Sequence, residues 1–445
     1  MNYYYIIIII IVLTIIYFKQ DEMNIWLMNR IIILRGILAP SCFWYKVSDF
    51  ILGDGSGIDF YNKYKEKYGD FAPAEMFGEK IYLVTNNKFI KIILDKSPNT
   101  FTVGKLKMKF FRSFMEKNVG VSTGCPWKKR RHMNEQALNT DILHKYSGKH
   151  LQYTKNELLK WNKNKISFID FVEFGKKMGS KVIFNAETVH PDVLNIFRDA
   201  NTLVAFEKKY EINKEIHDNY LETLNYYIEN PNDDSLVKLL TEVSNDKEEL
   251  IHQIPHFIFP IVGLYVTTIP RTLALLFNHK NILDKFVKEI NQVNIENSNS
   301  IYNLSFLRKC ILETLRLNNP VVTTFRTLLK DFNFNDKYKF KKGDQFLILN
   351  NPVLREKEFF NKPNQFIPSR WTKEKEKSYY SISFSQGPQR CPGKELAIFL
   401  AQAFIYNFIK LRKITCKTNI KTMSFDKNYI PQIINPCDIS ISVEV

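Results

Sequence analysis

The sequence predicts a mainly helical domain with small peripheral β-sheets. Its 445 residues are 45% hydrophobic, enough to bury a large core. Apolar residues recur at helical spacing from about Pro126 to Lys288, and the polar stretch ENPNDDS marks a loop among them. Strand signals are few, namely KIYLVT near the start, YKFKKGDQFLILNN with its Gly-Asp turn, and DISISVEV at the end. We therefore expect a helical body with small sheets at its edges.

Residues 1–20 are predicted to form a membrane anchor. An uncharged, almost wholly apolar run from Tyr3 to Phe18 makes about 24 Å of helix, against a hydrocarbon core of roughly 30 Å. The basic start and small-residue cleavage site of a signal peptide are absent from this run. Residues 21–59 hold a second apolar stretch interrupted by Arg30 and Arg35, which is typical of an interfacial linker. The main domain is then expected over residues 60–445.

The positive charge of the chain is unevenly distributed. The net charge is +17, and from Lys80 to Arg131 there are 13 Lys or Arg residues against only Asp95 and Glu116. No zinc-finger, homeodomain or RNA-binding signature accompanies this stretch, so a nucleic-acid partner is not expected. An anionic membrane surface or an acidic protein partner fits the charge better. A merely solvated lysine-rich surface is the alternative.

One of six widely spaced cysteines stands in the stretch FSQGPQRCPGKELA. The wide spacing favours a reducing compartment over a disulfide framework. After Gly387, Pro388 and Cys391, apolar residues recur at helical spacing, so Cys391 is predicted just before a helix N-terminus. Backbone donors and the helix dipole there favour a thiolate, which a metal ligand or a nucleophile requires. A buried structural thiol is the alternative.

The stretch resembles the haem-binding loop of the cytochrome P450 family, Phe-x-x-Gly-x-(Arg/His)-x-Cys-x-Gly. Phe384, Gly387, Cys391 and Gly393 are in register with that pattern. The resemblance implies that Cys391 is the iron ligand and that the cofactor is haem b. It extends from about residue 60 to the C-terminus, because further motifs follow in the family's order.

The motif ETLR supplies Glu313 and Arg316, and FIPSRW supplies Arg370. The resemblance implies that these three side chains form the family's Glu-Arg-Arg network behind the haem. A surface ion pair between Glu313 and Arg316, worth ~0.3 to 0.5 kcal/mol, is the alternative.

Two further motifs concern the haem propionates. PWKKRRH supplies Trp127 and Arg131, which match the Trp-x-x-x-Arg of the helix that meets a propionate. Arg326 stands ten residues after Arg316, where eukaryotic members have another propionate-binding arginine. The haem loop departs from the pattern, because Gln389 occupies the usual Arg or His position and Arg390 follows it. One propionate contact is therefore expected to be weakened or re-routed.

The central helix departs from the pattern more strongly. Members that activate oxygen carry (Ala/Gly)-Gly-x-(Asp/Glu)-Thr-Thr, and the corresponding region here is FIFPIVGLYVTTIPRTLALLFNHKN. If Thr267 and Thr268 form the threonine pair, Val266 replaces the acid and Gly263 is the small residue. A gap-free count back from the end of the helix instead puts Leu264 and Tyr265 at the pair. The TIPRT run resembles the branch of cholesterol 7-alpha-hydroxylase and prostacyclin synthase.

The resemblance implies a membrane-anchored monooxygenase that inserts one oxygen atom of O2 into a lipophilic substrate such as a sterol or fatty acid. It implies electrons from an NADPH-dependent reductase or another donor, docked on a basic proximal face from Lys128 to Arg131. The main domain is expected on the cytoplasmic side, as in members of the endoplasmic reticulum. Two alternatives remain, namely a peroxide isomerase or dehydratase of the same fold, and a catalytically silent haem-binding protein.

Overall fold

The computed structural model describes residues 58–76, 79–105, 107–108, 115–194, 214–293, 295–430 and 434–444. The predicted anchor and nearly all of the predicted linker lie outside the described residues. The helices within this part of the chain are α1 (Ile58–Tyr68), α2 (Asn87–Asp95), α3 (Gly124–Leu138), α4 (Ser147–Leu159), α5 (Phe168–Gly179), α6 (Lys214–Glu229), α7 (Leu236–Val243), α8 (Lys247–Asn278), α9 (Lys280–Asn291), α10 (Ser298–Tyr302), α11 (Ser305–Leu317), α12 (Asn350–Val353), α13 (Lys373–Glu376) and α14 (Lys394–Leu411).

Ten short strands in the described residues form three sheets. The strands are β1 (Phe71–Met76), β2 (Glu79–Val84), β3 (Phe101–Val103), β4 (Lys165–Ile166), β5 (Thr323–Leu328), β6 (Phe332–Phe334), β7 (Tyr338–Phe340), β8 (Gln345–Leu349), β9 (Asn419–Lys421) and β10 (Ile441–Glu444). The largest sheet has the order β1-β2-β8-β5-β3 and is antiparallel except between β2 and β8. The others are β4-β10-β9 and the hairpin β6-β7. The predicted mainly helical fold with small sheets is confirmed.

The core lies where α5, α8 and α14 meet. Phe174, Tyr265 and Phe404 each come from one of these helices, and their ring centroids lie 4.8 to 6.0 Å apart. Gly175 lets α5 approach α8 closely, since a Cβ there would lie 3.1 Å from the Tyr265 Cβ and from the Val262 carbonyl oxygen. Helix α14 is apolar around most of its circumference, as expected for a helix surrounded by protein.

Helix α8 is the one helix of the described residues that is long and apolar enough to cross a membrane by length and composition. Its mean hydropathy over the relevant window is 1.5, but 78% of that window is buried inside the protein. It is therefore the central core helix of this domain. Its regular winding is interrupted by a π-helical segment, Leu264–Thr268.

The Gly-Asp turn does not close a hairpin between the two strands that flank it. Gly343, with φ +97°, lies between β7 and β8. However, β7 pairs with β6, whereas β8 is a central strand of the largest sheet. The turn therefore carries the chain from one sheet to another.

Candidate functional site

The loop that precedes α14 holds Cys391 by its backbone. The Cys391 N–H donates to the Phe384 carbonyl oxygen at 2.8 Å, and the Arg390 N–H donates to the Gly387 carbonyl oxygen at 3.0 Å. Gly387 has φ +72°, and a Cβ there would lie 2.3 Å from the Leu94 carbonyl oxygen. Only glycine therefore allows the loop to pack against the end of α2. The loop closes on itself with Cys391 at its end.

Cys391 is partly exposed as a residue, while its thiol lies deep in the protein. Burial raises the pKa of the Cys391 thiol, while a hydrogen bond from the Gly393 N–H and the charges of Arg131 and Lys394 act in the opposite direction. The helix start thus acts in favour of the thiolate, while desolvation acts more strongly in the opposite direction. A bound metal ion would stabilise the thiolate against this cost.

Arg131 reaches this loop from α3. Its Nη1 donates to the Arg390 carbonyl oxygen at 2.6 Å, and its Nε donates to Glu135 Oε1 at 2.7 Å. Its Nη2 is buried and has no hydrogen-bond partner among the described residues. Trp127 lies one turn earlier on α3 and is 9% exposed. Because an unsatisfied buried donor costs about 1 to 3 kcal/mol, Arg131 Nη2 is suited to an acceptor oxygen supplied by a ligand.

Arg326 projects from β5 and is also buried. Its Nε donates to Ser97 Oγ at 3.1 Å, and its Nη1 donates to the Phe325 carbonyl oxygen at 2.8 Å. Neither of these partners carries a charge. Burial lowers the pKa of Arg326 to about 10. A buried guanidinium held only by neutral acceptors is suited to pairing with an anion.

Two further basic side chains, Lys107 and His256, lie close to these arginines. A Cβ on Gly120 would be 3.3 Å from Lys107 Nζ and 3.4 Å from His256 Cε1. Burial and the charge of Arg326 lower the pKa of Lys107 to about 8. Burial and the charges of Lys107 and Arg131 lower the pKa of His256 to about 3. Segments distant in sequence thus converge on one electropositive site.

The remaining predicted residues of the loop lie in different surroundings. The Arg390 guanidinium pairs with Asp141, and both side chains are largely exposed. Arg390 therefore contributes to the site through its carbonyl oxygen, which binds Arg131. Gln389 is half-buried. Phe384 packs against a small apolar cluster formed by Leu312, Trp371 and Ile398.

Glu313, Arg316 and Arg370 form one buried network behind the loop. Arg316 donates through Nε and Nη2 to the two Glu313 carboxylate oxygens, both at 2.9 Å, and Arg370 Nε donates to Glu313 Oε1 at 2.9 Å. Glu313 and Arg316 have fully buried side chains, so a surface ion pair is excluded. Burial alone would raise the pKa of Glu313, but the charges and hydrogen bonds of Arg316 and Arg370 lower it.

The same carboxylate fixes the segment that follows. The Ile367 N–H donates to Glu313 Oε1 at 3.0 Å, and Trp371 Nε1 donates to Oε2 at 2.9 Å. Arg316 Nη1 also donates to the carbonyl oxygens of Leu354 and Pro363, at 3.0 and 2.8 Å. Both charged groups are therefore saturated with hydrogen bonds, as buried charges require.

Tyr265 and Gly263 of α8 lie in different surroundings. Tyr265 points to α5, where its ring packs on Phe174. Two residues away in either direction, Gly263 and Thr267 lie on the other face, since each residue turns an α-helix by about 100°. A Cβ on Gly263 would meet no atom of the described residues within 4 Å. The Thr267 hydroxyl donates to the Gly263 carbonyl oxygen at 2.7 Å.

A π-helical segment covers the residues on which both alternative registers fall. The Ile269 N–H bonds back to the Leu264 carbonyl oxygen, so this turn holds one residue more than an α-helical turn. Tyr265 from the gap-free count is buried in the core. Val266, Thr267 and Thr268 are all buried, at 1%, 3% and 2% exposed.

Two of the four residues of the predicted basic face, Arg130 and Arg131, do not lie at the surface. Lys128 and Lys129 are exposed. Arg130 is buried because it pairs with Glu249, with Nε and Nη2 donating at 2.6 and 2.7 Å. Arg131 is also buried, at the site described above.

Lys107, His256 and Trp371 were missed by the sequence analysis. Lys107 belongs to the basic stretch that was noted, but no spacing in it distinguishes a buried lysine from an exposed one. Trp371 directly follows Arg370, and that adjacency is the signal that could have suggested it. The sequence around His256 carries no such signal.

The family profile described as Cytochrome P450 matches residues 163–436. The chain belongs to the cytochrome P450 family. The solved structure of a retinoic acid bound cyanobacterial CYP120A1 is similar with a TM-score of 0.70, at 17% identity, over 87% of this chain and 94% of that one. At this identity the similarity shows the shared fold.

Similar curated proteins include a chloroplastic fatty acid hydroperoxide lyase of Solanum lycopersicum, 28% identical over 216 residues, or 44% of this chain and 45% of the relative. Another is a beta-amyrin 11-oxidase of Glycyrrhiza uralensis, 28% identical over 172 residues, or 36% of this chain and 35% of the relative. The aligned segments thus span less than half the length of these two relatives.

Cytochromes P450 carry haem, and the described residues fit this cofactor. Cys391 is a partly exposed cysteine whose sulfur is suited to bind the iron. Arg131 has a buried donor without a partner, and Arg326 has only neutral partners. Two such cations are suited to the two propionates of a haem.

Proposed function

We propose that the protein is a haem-thiolate monooxygenase that inserts one oxygen atom of O2 into a lipophilic substrate. One observation carries the proposal. Cys391 is held at the start of α14 as a partly exposed residue, and Arg131, the residue that fixes its loop, also presents a buried N–H to the same site. A thiolate ligand and anion-binding arginines at one site suit haem b. Thiolate-ligated haem supplies the activation of dioxygen when bound.

We assign the binding roles as follows. Cys391 would be the iron ligand, and the Gly393 N–H would hold its sulfur in place. Arg131 and Arg326 would each bind a propionate, with Trp127 packed beside the first of these. Gln389 lacks the charge of the usual Arg or His. The convergence of Lys107 on this site supports the idea that the missing charge is supplied from another segment.

The face of α8 that carries Gly263 would form part of the substrate side. Gly263 leaves space for a ligand, and the Thr267 hydroxyl stands one turn away. We therefore favour the register in which Thr267 is the first threonine of the pair and Val266 occupies the acid position. Val266 cannot transfer a proton, so proton delivery would depend on Thr267 together with water or with groups of the substrate.

A second function of the same fold is favoured by this substitution. A peroxide isomerase or dehydratase needs no proton relay for oxygen activation, and Val266 removes the carboxylic acid such a relay uses. The hydroperoxide lyase among the relatives supports the same idea. The branch of cholesterol 7-alpha-hydroxylase and prostacyclin synthase, which holds both hydroxylases and isomerases, likewise remains a proposal.

We further propose that residues 1–20 anchor the domain to a membrane, with the domain on the cytoplasmic side as in endoplasmic-reticulum members. A separate NADPH-dependent reductase would supply electrons. The exposed Lys128 and Lys129 on α3 give an acidic partner charges to bind.

The test of the function is turnover of the haem-loaded protein with isotopically labelled dioxygen. A panel of sterols and fatty acids is offered with NADPH and a reductase, and the matching hydroperoxides are offered without them. Label in a hydroxylated product supports the monooxygenase. Conversion of the hydroperoxides alone would replace it by the isomerase or dehydratase, and no turnover in either arm would indicate a silent haem-binding protein.

A further inference from the structure

Arg308 of α11 lies at the centre of a half-buried network of charges. Its Nη1 and Nη2 donate to the two carboxylate oxygens of Glu395, both at 2.8 Å. Its Nη2 and Nε donate to the two carboxylate oxygens of Glu376, at 2.5 and 3.3 Å. Arg308 therefore joins the end of α13 to the first turn of α14 through two bidentate contacts.

Two further side chains complete this network. Lys394 Nζ lies 2.6 Å from Glu376 Oε1, and the Tyr302 hydroxyl donates to Glu395 Oε2 at 2.8 Å. The Glu395 and Glu376 side chains are 9% and 16% exposed. Both carboxylates are thus shielded from water and compensated by the cations of Arg308 and Lys394.

The network lies directly behind the Cys391 loop. Glu395 is four residues after Cys391 and belongs to the first turn of α14, whose capping residue Gly393 donates to the Cys391 sulfur. On the other side of the loop, Gln386 Nε2 donates to the Glu376 carbonyl oxygen at 3.3 Å. The segments before and after Cys391 are therefore both tied to the residues that Arg308 binds.

An apolar contact between α11 and α14 lies next to this network. Leu312 lies one turn after Arg308 on α11, and Ile398 lies one turn after Glu395 on α14; Leu312 and Ile398 belong to one buried cluster against which Phe384 packs. The two helices thus meet through one polar and one apolar layer, and the loop begins at Phe384 beside the apolar one. Arg308 holds together the polar layer, which adjoins Gly393.

The charges also act on each other strongly. Burial alone would lower the pKa of Arg308, but its hydrogen bonds to Glu395 and Glu376 raise it. Burial alone would raise the pKa of Glu376, but Arg308 and Lys394 lower it. Burial and the hydrogen bond to Glu395 raise the pKa of Tyr302 to about 12. Arg308, Glu376 and Tyr302 therefore keep their neutral-pH charge states.

We propose that Arg308 is a positioning residue for the Cys391 ligand. It neutralises Glu395 and Glu376 next to the loop, and it holds the first turn of α14 where the Gly393 N–H can reach the sulfur. The inference rests on the proposed haem-thiolate function. Loss of the guanidinium would leave a half-buried carboxylate unpaired one turn from the ligand, and this negative charge disfavours the thiolate and stabilises the oxidised iron.

The test compares Arg308→Met with Lys309→Met, which removes a neighbouring cation that takes no part in the network. Each haem-loaded variant is examined for the ferrous carbon-monoxide spectrum and the midpoint potential. In Arg308→Met we expect a several-fold larger fraction of the complex that has lost the thiolate, and a lower potential in the remainder. Lys309→Met is expected to match the unsubstituted protein in both.

A second substitution separates charge from folding. Adding Glu395→Gln to Arg308→Met removes the unpaired carboxylate, so we expect it to restore most of the thiolate-ligated fraction and to move the potential back. An unchanged spectrum and potential in Arg308→Met would overturn the proposal. The proposal would also be overturned if Arg308→Met lost haem and neither Arg308→Lys nor the added Glu395→Gln reduced this loss. Such a result would indicate a purely structural role. An unsubstituted protein without a thiolate signature would instead overturn the proposed function.

Discussion

Arg316 and Glu313 face each other through two parallel hydrogen bonds of 2.9 Å, and both side chains are fully buried. The charges are balanced by Arg370 and by the backbone and indole groups of the following segment. The segment from Leu354 to Trp371 is thus held to α11 largely through one ion pair.

Removing one partner of this pair should destabilise the domain severely. In Arg316→Met we expect a loss of about 3 to 5 kcal/mol, because Glu313 would be left as a buried charge with fewer partners. The denaturant midpoint of the haem-loaded protein measures the loss. Lys341→Met is the matched control, since it breaks the exposed pair with Asp331 and should cost less than about 1 kcal/mol. Losses of equal size would contradict the account.

The Glu313 carboxylate should also contribute to acid unfolding. Its pKa is lowered in the folded state, so its stabilisation is fully present above the unfolded value of about 4.3. It is lost as the pH falls through the lower folded value. Glu313→Gln should therefore show a smaller drop in thermal midpoint between neutral and acidic pH than the unsubstituted protein. Parallel pH profiles would show that other carboxylates determine acid stability.

Arg326 and Arg390 should differ in their effect on haem retention. Arg326 is buried with neutral partners, so its loss removes a charge-assisted contact to a propionate worth about 1.5 to 3 kcal/mol. We expect Arg326→Leu to weaken haem affinity about tenfold to a hundredfold. Arg390→Ala should change it little, because that guanidinium pairs with Asp141 at the surface. Transfer of haem to an excess of apomyoglobin measures both. Equal losses would show that Arg390 turns inward.

The α8 register predicts inefficient use of electrons. Val266 cannot relay a proton, so much of the reduced oxygen should be released as peroxide. Thr267→Val should increase this release further, whereas Thr267→Ser keeps the hydroxyl and should not. Val266→Asp should raise the yield only if the buried carboxylate finds a partner, since an isolated one costs several kcal/mol. The measurement is product per reducing equivalent. Tight coupling that Thr267→Val leaves unchanged would contradict this register.

The parts of the site that follow a local pattern were predictable from the sequence. Glu313 and Arg316 lie one turn apart in a helix, and the glycines around Cys391 indicate a loop ahead of α14. The π-helical segment was not predictable, because an extra residue in one turn of α8 leaves the apolar pattern nearly unchanged. The raised pKa of the Cys391 thiol was not predictable either, because it depends on how deeply long-range packing buries this side chain.

Charge provides the clearest case of what a sequence conceals. Lys128, Lys129, Arg130 and Arg131 are consecutive and look alike, yet the first two are exposed and the last two are buried. The difference comes from Glu249, which is distant in sequence and pairs with Arg130, and from the Cys391 loop, which accepts a hydrogen bond from Arg131. Such partners become visible only once the chain is folded.

The most direct test of the central claim is the absorption spectrum of the reduced protein under carbon monoxide. A thiolate-ligated haem has a Soret band far to the red of other carbon-monoxide complexes, so we expect this band in the unsubstituted protein and in Cys125→Ala, which alters an exposed cysteine. Cys391→Ala should lose it. Persistence of the band in Cys391→Ala, or its loss in Cys125→Ala alone, would contradict the assignment of Cys391 as the haem ligand.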